Sequence, residues 1–257
     1  MDVLEELSLF YRDYKDEKGY IGFTDFGTPI PYFAVHKTAF PTIIVQYSIH
    51  AREYITTYLA LKQIKDYILH GKRGTVYFIP ALNPDGIKIC LQGSPLYKAN
   101  GKGVDINVNF DALWGTGDSN SKIKGQGDYI GTHPFSESET KAIREFTLAV
   151  RPNLTISYHS KGEEIYYEFN KTGRVLDLSY KCAKAVARVT GYKVKKIKGS
   201  AGGYKDWCIY RLNVPSLTIE VGEDSLSHPI GKDYLNGIYE KNRQVLKVLT
   251  EKRSLWK

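Results

Sequence analysis

Apolar runs typical of buried β-strands alternate with helical patterns along this chain of 257 residues, and this alternation restricts the possible folds most strongly. The runs are nearly continuous in Ile, Val, Leu and aromatic residues, and they cover residues 42–49, 75–82, 153–159 and 216–222. Strands of this kind are buried on both faces, as in a sheet that helices cover on each side. The sequence therefore predicts an α/β fold.

Helical patterns fill much of the remaining sequence. They cover residues 1–20, 53–69, 136–150, 176–191 and 233–252. Residues 83–86 (Asn-Pro-Asp-Gly) are a strong turn signal after the strand at 75–82. The segment 93–135 is long and rich in Gly, Asn and Asp, and such a stretch inside a compact domain is usually functional. No internal repeat or low-complexity linker divides the chain, so we expect residues 1–257 to form a single domain.

The charge balance restricts the partners only weakly. The chain has 36 basic and 28 acidic residues, a formal net charge of +8, which suits nucleic acid, an anionic cell wall or acidic substrates. The lysines look scattered, without a recognised nucleic-acid module or an arginine-rich stripe, so we expect no nucleic-acid partner. No run approaches the ~18 apolar residues of a membrane span, so we expect no membrane partner. Oligomeric state has no signature in the sequence.

The amino-terminal residues and the cysteines indicate the compartment of synthesis. Acidic residues begin at position 2 and no apolar core follows within the first twenty residues, unlike in a secretory signal peptide. The three cysteines are widely spaced and odd in number, which favours reduced thiols over a disulfide framework. We therefore expect synthesis in the cytoplasm.

A candidate metal site begins where the apolar run 42–49 ends. His50 and Glu53 lie three residues apart across a strand-to-helix junction and can point at one metal ion, although this spacing alone is a weak signal. A catalytic zinc ion typically has three protein ligands and an open position. His159 ends another apolar strand, and the carboxyl ends of strands are where open α/β sheets place their sites. Taken alone, His159 fits a buried core histidine equally well.

Glu220 is an acidic residue embedded in the apolar run 216–222. Burial raises the pKa of a carboxyl group, and a raised pKa suits a general base near neutral pH. The alternative is a structural salt bridge. Zinc-assisted hydrolysis needs such a base, so Glu220 is the candidate.

Six motifs follow one another along the chain. They are HARE (50–53), NPDG (83–86), GVDINVNF (103–110), the strand that ends at His159, GGYKDW (202–207) and TIEVG (218–222). In this order they resemble the motifs of zinc carboxypeptidases of the M14 type. The resemblance implies a single-domain α/β/α sandwich around a mixed, twisted sheet of about eight strands, and one zinc ion per chain.

The same resemblance implies roles for individual residues. It assigns zinc ligation to His50, Glu53 and His159, and the general base to Glu220. Asp105 corresponds to the acid that orients the first histidine, since a ligand histidine usually donates its other N–H to a carboxylate. The substrate contacts that it implies are Arg52, Asn107, Tyr204 and Lys205.

Two positions depart from the carboxypeptidase pattern. Those enzymes bind the terminal carboxylate of their substrate with an Asn–Arg pair, whereas Asn107 is followed here by Val108. Valine cannot make the bidentate, charge-assisted bonds that arginine offers a carboxylate. Lys198 stands where the family has a tyrosine that closes over the substrate. We therefore do not expect ordinary trimming of protein C-termini.

Other strings resemble one bacterial branch of the family. YKANGKGVD (97–105), YHSKGEEIYY (158–167), GGYKDW and TIEVG are similar to γ-D-glutamyl-L-diamino-acid endopeptidases. That branch cuts between γ-D-glutamate and meso-diaminopimelate, or lysine, in peptidoglycan stem peptides. The resemblance implies that Lys98 replaces the arginine that polarises the scissile carbonyl, as a point charge rather than a fork. Lys205 falls where the preference for the residue after the scissile bond is set; the alternative is a solvated lysine in a loop.

Together these features predict a zinc peptidase that acts on a stem peptide or muropeptide. The alternative is a metallocarboxypeptidase with altered specificity. Whether the diamino acid is diaminopimelate or lysine is left open. Muropeptide recycling in the cytoplasm, sporulation, and action on the wall after lysis are all compatible with the sequence.

Overall fold

Eight strands form one mixed sheet in the part of the chain that the computed structural model describes, residues 1–125 and 127–256. In chain order they are β1 (Lys18–Phe23), β2 (Pro29–His36), β3 (Thr42–Tyr47), β4 (Thr75–Ile79), β5 (Leu154–Ser160), β6 (Glu164–Tyr166), β7 (Lys193–Lys195) and β8 (Ser216–Val221). Their order across the sheet is β1-β2-β4-β3-β5-β8-β6-β7. The predicted mixed, eight-stranded sheet is confirmed.

Helices cover both faces of this sheet. Within the described residues they are α1 (Val3–Asp13), α2 (Ile55–His70), α3 (Pro84–Leu91), α4 (Ser138–Val150), α5 (Arg174–Thr190), α6 (Tyr204–Tyr210), α7 (Leu235–Asn242) and α8 (Val245–Glu251). Helices α1, α2, α5, α7 and α8 bury apolar side chains in one core, and α4, α6 and part of the irregular segment 93–135 do so in the other. The architecture is the predicted α/β/α sandwich.

The central strands are apolar on both faces because each face meets a core. In β3, Ile43 and Val45 belong to the first core and Ile44 to the second, since successive side chains of a strand point in opposite directions. All three are fully buried. This burial explains the nearly continuous apolar runs.

The candidate site lies at one edge of this sheet. Strands β4, β3, β5 and β8 are parallel, so their carboxyl ends meet at the same edge. From β3 the chain continues to its neighbour β4 on one side, whereas the strands that follow β5 (β6, β7 and β8) all lie on the other side. Ligands of open α/β sheets bind in the crevice at such a reversal of strand order. The crevice between β3 and β5 is therefore the expected place for a site.

Two predicted helices differ from those in the structure. The amino-terminal helix ends at Asp13, and the following residues from Lys18 onward pair with β2 instead. The predicted helix at 233–252 is divided into α7 and α8, which pack against α2 and α5 respectively. No described helix is both long enough and apolar enough to cross a membrane.

The predicted turn at residues 83–86 is the start of α3. The Asn83 side chain accepts a hydrogen bond from the Gly86 N–H (3.0 Å), and Pro84 occupies the first helical position. Asparagine at the N-cap and proline next to it favour a helix start as much as a turn. The described residues of the segment 93–135 are irregular as expected, apart from a short 3₁₀ turn at Ile106–Val108 and an isolated β-bridge between Ser121 and Tyr129.

Candidate metal centre and catalytic cleft

A sharp turn after β3 brings the first two candidate ligands together. Ser48 has a φ of 50°, a conformation that non-glycine residues rarely adopt. Its N–H donates to Thr56 Oγ1 (2.9 Å), and its hydroxyl lies 2.8 Å from Thr57 Oγ1. These bonds hold the turn, so that His50 and Glu53 lie side by side at the carboxyl end of β3.

Three buried side chains converge in the crevice between β3 and β5. His50 Nδ1 lies 2.8 Å from Glu53 Oε1, and His159 Nδ1 lies 3.1 Å from Glu53 Oε2. The two Nδ1 atoms are 3.3 Å apart. The three residues are 8%, 3% and 3% exposed, in the order His50, Glu53, His159. Two imidazole nitrogens and one carboxylate form a donor set that suits zinc and could hold a metal ion.

Asp105 lies on the other side of the His50 ring. Its Oδ1 is 3.3 Å from His50 Nε2 and accepts a hydrogen bond from the Asn107 N–H (3.0 Å). A carboxylate beside Nε2 favours the proton on that nitrogen and leaves the Nδ1 lone pair for a metal. The position predicted for Asp105 therefore fits the ligand geometry.

The charges of the cluster favour a cation at its centre. Burial alone would lower the pKa of His50, but Glu53 and Asp105 raise it to about 9. Burial would raise the pKa of Glu53, but the two histidines hold it well below its usual range. Burial lowers the pKa of His159, which keeps its ring neutral and able to donate a lone pair.

Glu220 lies on β8, next to the strand that carries His159. The two residues are direct partners in the parallel pairing of β5 and β8. Glu220 is partly exposed, and none of the described residues forms an ion pair or a hydrogen bond with its carboxylate. The alternative of a structural salt bridge is therefore wrong within the described part of the chain. Burial, followed by the charge of Glu53, raises the pKa of Glu220 well above its usual value.

Lys98 is joined to the metal cluster through Asp105. Its Nζ lies 2.7 Å from Asp105 Oδ2 and 2.7 Å from Asp128 Oδ1. Its carbonyl oxygen accepts a hydrogen bond from the Ala51 N–H (3.0 Å), which ties this segment to the turn with His50. Lys98 therefore brings a positive charge beside the cluster, but two carboxylates share it. A direct role on the substrate stays a prediction.

A second wall of the cleft, which we call the substrate wall, is formed by the turn at Ile106–Val108 and the start of α6. The Phe110 N–H donates to the Gly202 carbonyl oxygen (2.9 Å). Gly202 has a φ of 88°, and a side chain there would lie 2.8 Å from the Val108 carbonyl oxygen. Only glycine fits this approach. Asn107 and Val108 are partly exposed beside it.

Tyr204 does not lie in the cleft. Its side chain is fully buried in the second core, and its hydroxyl lies 2.8 Å from Thr147 Oγ1. Thr147 belongs to α4, so the Tyr204 hydroxyl is bonded inside the protein, and the ring has no exposed surface for a substrate. The predicted substrate contact of Tyr204 is therefore wrong.

Lys205 is buried on the same helix. Only 6% of the residue is exposed, and its Nζ donates to Asp206 Oδ1 (2.5 Å) and to the Glu168 carbonyl oxygen (2.7 Å). The ammonium group also lies 5.6 Å from the centre of the Phe169 ring. The alternative of a solvated lysine in a loop is wrong. Two of the three ammonium donors are occupied, and contact with a substrate stays a prediction.

Two further polar side chains belong near this edge of the sheet. The Arg52 Nε is buried without a hydrogen-bond partner among the described residues, and so is the Nδ1 of His228. Burial lowers the pKa of His228, which also interacts electrostatically with Glu53 and Arg52. His228 ends no apolar run, so the pattern of apolar strands does not single it out. Its position in the segment that follows β8, eight residues after Glu220, is the only signal for it in the sequence.

Residues 20–253 match the Peptidase M14 family, described as zinc carboxypeptidase. A similar protein is gamma-D-glutamyl-L-diamino acid endopeptidase 1 of Lysinibacillus sphaericus. It is 27% identical in an alignment that covers 82% of this chain and 62% of that protein. The chain thus spans less than two thirds of the length of this relative.

Solved structures show the same fold. Bovine thrombin-activatable fibrinolysis inhibitor, solved with tick carboxypeptidase inhibitor, gives a TM-score of 0.84 at 22% identity, over 97% of this chain and 95% of that one. The murein-tripeptide amidase MpaA of Escherichia coli O157 gives a TM-score of 0.67 at 19% identity, over 92% of each chain. With the family match over nearly the whole sequence and a buried His-Glu-His cluster at the switch point, this chain belongs to the M14 zinc carboxypeptidase family.

Proposed function

We propose that this chain is a zinc peptidase that hydrolyses the γ-D-glutamyl–diamino acid bond of peptidoglycan stem peptides. The observation that carries the proposal is Val108. It stands on the partly exposed turn beside Asn107, where carboxypeptidases have the arginine that binds a terminal carboxylate. A wall without guanidinium gives little affinity for a free α-carboxylate. The similarity to a Lysinibacillus endopeptidase of that substrate class supports the same choice.

We also propose that residues 1–257 act as one catalytic domain. One continuous sheet joins strands from Lys18 to Val221, and α7 and α8 bury their apolar sides in its first core. A zinc ion held by His50, Glu53 and His159 would polarise the scissile carbonyl and make water more acidic.

The proton of the attacking water passes to Glu220 in this proposal. Its carboxylate is free of partners among the described residues and lies on the strand next to His159. Its raised pKa lets it hold the proton and then deliver it to the leaving amine. Asp105 holds the His50 ring in the orientation that leaves Nδ1 for the metal.

Lys98 supplies positive charge where the carbonyl oxygen becomes negative. In this proposal the substrate oxygen competes with the partly exposed Asp128, which lies 2.7 Å from the Lys98 ammonium group. An ammonium group can serve as a point charge in this role, although with less directional preference than guanidinium.

Lys205 is proposed to recognise the additional acidic group of the residue after the scissile bond. Its Nζ donates to two protein oxygens and retains a third N–H for a ligand. Gly203, two residues before it, lies close enough to the Asn107 carbonyl oxygen that a side chain there would approach it within 3.4 Å. Lys205 is therefore on the helix that begins at the substrate wall.

The second candidate is a metallocarboxypeptidase with altered specificity. Asn107 is retained and partly exposed, so one of the two carboxylate-binding residues is present. Under this proposal a single residue would be released from the C-terminus of an α-linked peptide.

Digestion of a defined substrate separates the two candidates. The zinc-loaded chain is incubated with L-Ala-γ-D-Glu-meso-diaminopimelate-D-Ala, and the products are identified by mass spectrometry. Release of L-Ala-γ-D-Glu together with the diamino acid dipeptide supports the proposal. Release of D-Ala alone, leaving the γ-glutamyl bond intact, would favour the carboxypeptidase. The Glu220→Gln variant serves as the control for contaminating peptidases.

A further inference from the structure

The net positive charge of this protein is concentrated in one segment, residues 171–198. This segment has nine lysine and arginine residues and one acidic residue, Asp177, so that its formal charge is +8. The whole chain also carries +8, and the rest of the sequence therefore balances at 27 basic and 27 acidic residues. The prediction that the lysines are scattered through the chain is therefore wrong for this segment, although it has only two arginines.

Helix α5 presents four of these cations on one exposed face. Arg174, Lys181, Lys184 and Arg188 are all exposed, at spacings of seven, three and four residues that return to the same side of a helix. At the helical rise the row is about 21 Å long. We call these four residues the cationic row.

One acidic residue, Asp177, lies on the same exposed face, three residues after Arg174 and four before Lys181, so four cations and one anion leave this face with a formal charge of +3. None of its four side chains forms an ion pair with a described residue. Elsewhere in the segment, Lys195 pairs with Glu164, and Lys196 pairs with Glu168 at 2.8 Å. Like charges three and four residues apart on a helix repel one another. An anion bound along the row would remove this repulsion.

The row runs from one edge of the sheet to the other. Arg174 lines a surface depression together with Pro215, which precedes β8 at the edge opposite the metal cluster. The helix ends at Thr190, shortly before Lys193 on β7. In the sheet register Lys193 is the partner of Glu164, and Glu164 is the partner of Glu220.

Lys193 is therefore two strand spacings, about 10 Å, from the backbone of Glu220. A chain bound along the cationic row would arrive at the catalytic edge of the sheet. The row itself lies on the helix layer of the first core, outside the cleft.

We propose that the cationic row, continued by Lys193, binds a linear phosphodiester polymer of the cell wall, of the poly(glycerol phosphate) kind. The regularly spaced phosphates of such a polymer complement a straight row of cations. The choice of a wall polymer rests on the proposed function, because the proposed stem-peptide substrate belongs to the same wall. The charge complementarity does not depend on it.

The chemistry of the row favours a phosphate backbone without bases. Seven of the nine cations in the segment are lysines, which bind phosphate as point charges without the fork geometry that reads a base edge. Single-stranded nucleic acid is usually bound with aromatic rings that stack on the bases. Tyr180, the exposed ring on α5, packs instead against Tyr167, with ring centres 5.1 Å apart.

Binding of purified poly(glycerol phosphate) to the full chain, measured by fluorescence titration at low ionic strength, tests this proposal. The test variant combines Lys181→Gln, Lys184→Gln and Arg188→Gln, since glutamine is a good helix former. The matched control combines Lys15→Gln, Lys72→Gln and Lys88→Gln, which removes the same charge from exposed positions outside α5. We expect Kd to rise about tenfold in the test variant, as for three exposed ion pairs. In the control it should change by less than about twofold.

Three results would overturn the proposal. The first is no measurable binding by the wild-type chain, and the second is equal weakening in both triple variants. The third is tighter binding of duplex DNA with the same number of phosphates, lost in the test variant, which would make the row a nucleic-acid surface. Cleavage of a small free muropeptide should be unchanged in the test variant. Polymer binding by a chain that does not cleave muropeptide would contradict the proposed function alone.

Discussion

The metal cluster and the substrate wall are two halves of one cleft with different relations to the family pattern. The cluster has every side chain that the family implies, and His50, Glu53 and His159 are buried with their ligand atoms within about 3 Å of one another. The wall at Ile106–Val108 and α6 departs from the pattern, with Val108 in place of arginine and a buried lysine at position 205.

The difference separates chemistry from selectivity. A hydrolytic metal centre needs a fixed donor set and a base, so it tolerates little change. The wall decides which groups of the substrate are bound, and a single exposed position on a short turn can change without disturbing the cluster. We therefore propose that the chain keeps the hydrolytic chemistry of its family and differs from carboxypeptidases in the substrate that it binds.

The substitution of a metal ligand should have the largest effect on the metal cluster. His159→Ala leaves His50 and Glu53 as the two remaining ligands, so zinc content should fall from one ion per chain to a small fraction, with activity lost. Zinc is measured by mass spectrometry after dialysis. His70→Ala is the control, because His70 is exposed and far along α2. Full activity in a metal-free His159→Ala preparation would refute the zinc site.

Removing the base alone should leave the metal in place. Glu220→Gln keeps the shape of the side chain but cannot accept a proton, and we expect kcat to fall by about 10²- to 10⁴-fold with zinc and melting temperature retained. Glu223→Gln, at an exposed neighbouring position, is the control and should keep its activity. If Glu220→Gln retained more than about a tenth of the wild-type rate, another group would have to be the base.

Removal of the Lys205 charge tests whether the substrate wall selects for an additional carboxylate on the substrate. A charge-assisted hydrogen bond contributes ~1.5–3 kcal/mol, so Lys205→Ala should lower kcat/KM about 10- to 150-fold on a diaminopimelate substrate. It should have little effect on the matched lysine substrate, which lacks the second carboxylate. Equal losses on both substrates would show that Lys205 does not bind the extra acid.

The buried pair with Asp206 requires a second variant. Lys205→Ala leaves the Asp206 carboxylate without its cation at a position that is 2% exposed, which destabilises the fold. The double variant Lys205→Ala with Asp206→Asn removes both charges, and Asn can still accept the Gly203 hydrogen bond. It should recover thermal stability without recovering the diaminopimelate preference.

Restoring the family residue on the wall should have the smallest effect. Val108→Arg returns a guanidinium beside Asn107, and we expect kcat/KM on α-linked peptides with a free C-terminus to rise by about tenfold. Val108→Leu, of similar exposure and without charge, is the control. An unchanged rate in Val108→Arg would show that the missing arginine is not what limits carboxypeptidase activity.

The sequence predicted the central fold and the cluster well for identifiable reasons. Strands such as β3 and β5 are apolar on both faces, and the ligands stand directly at their ends. The strand β6 and the edge strand β7 were not predicted because each has three residues and a largely polar sequence. They form because β8 offers a partner to β6, and β6 in turn offers one to β7.

Side-chain direction on α6 could not be read from its motif. The string GGYKDW places Tyr204 and Lys205 next to each other, but the seven-residue helix packs both of them into the protein. The partners that hold them, Thr147 and the Glu168 carbonyl oxygen, are far away in sequence. Tertiary contacts of this kind leave no local signal, so the tyrosine was wrongly assigned to the substrate.

We propose that the metal centre of the family serves a different substrate wall in this chain. The most direct test is kcat/KM of the zinc-loaded chain on L-Ala-γ-D-Glu-meso-diaminopimelate and on an α-linked tripeptide that ends in phenylalanine. We expect a ratio of at least about tenfold in favour of the γ-linked substrate, the effect of one lost charge-assisted bond. Faster release of phenylalanine would contradict it and identify the chain as a carboxypeptidase.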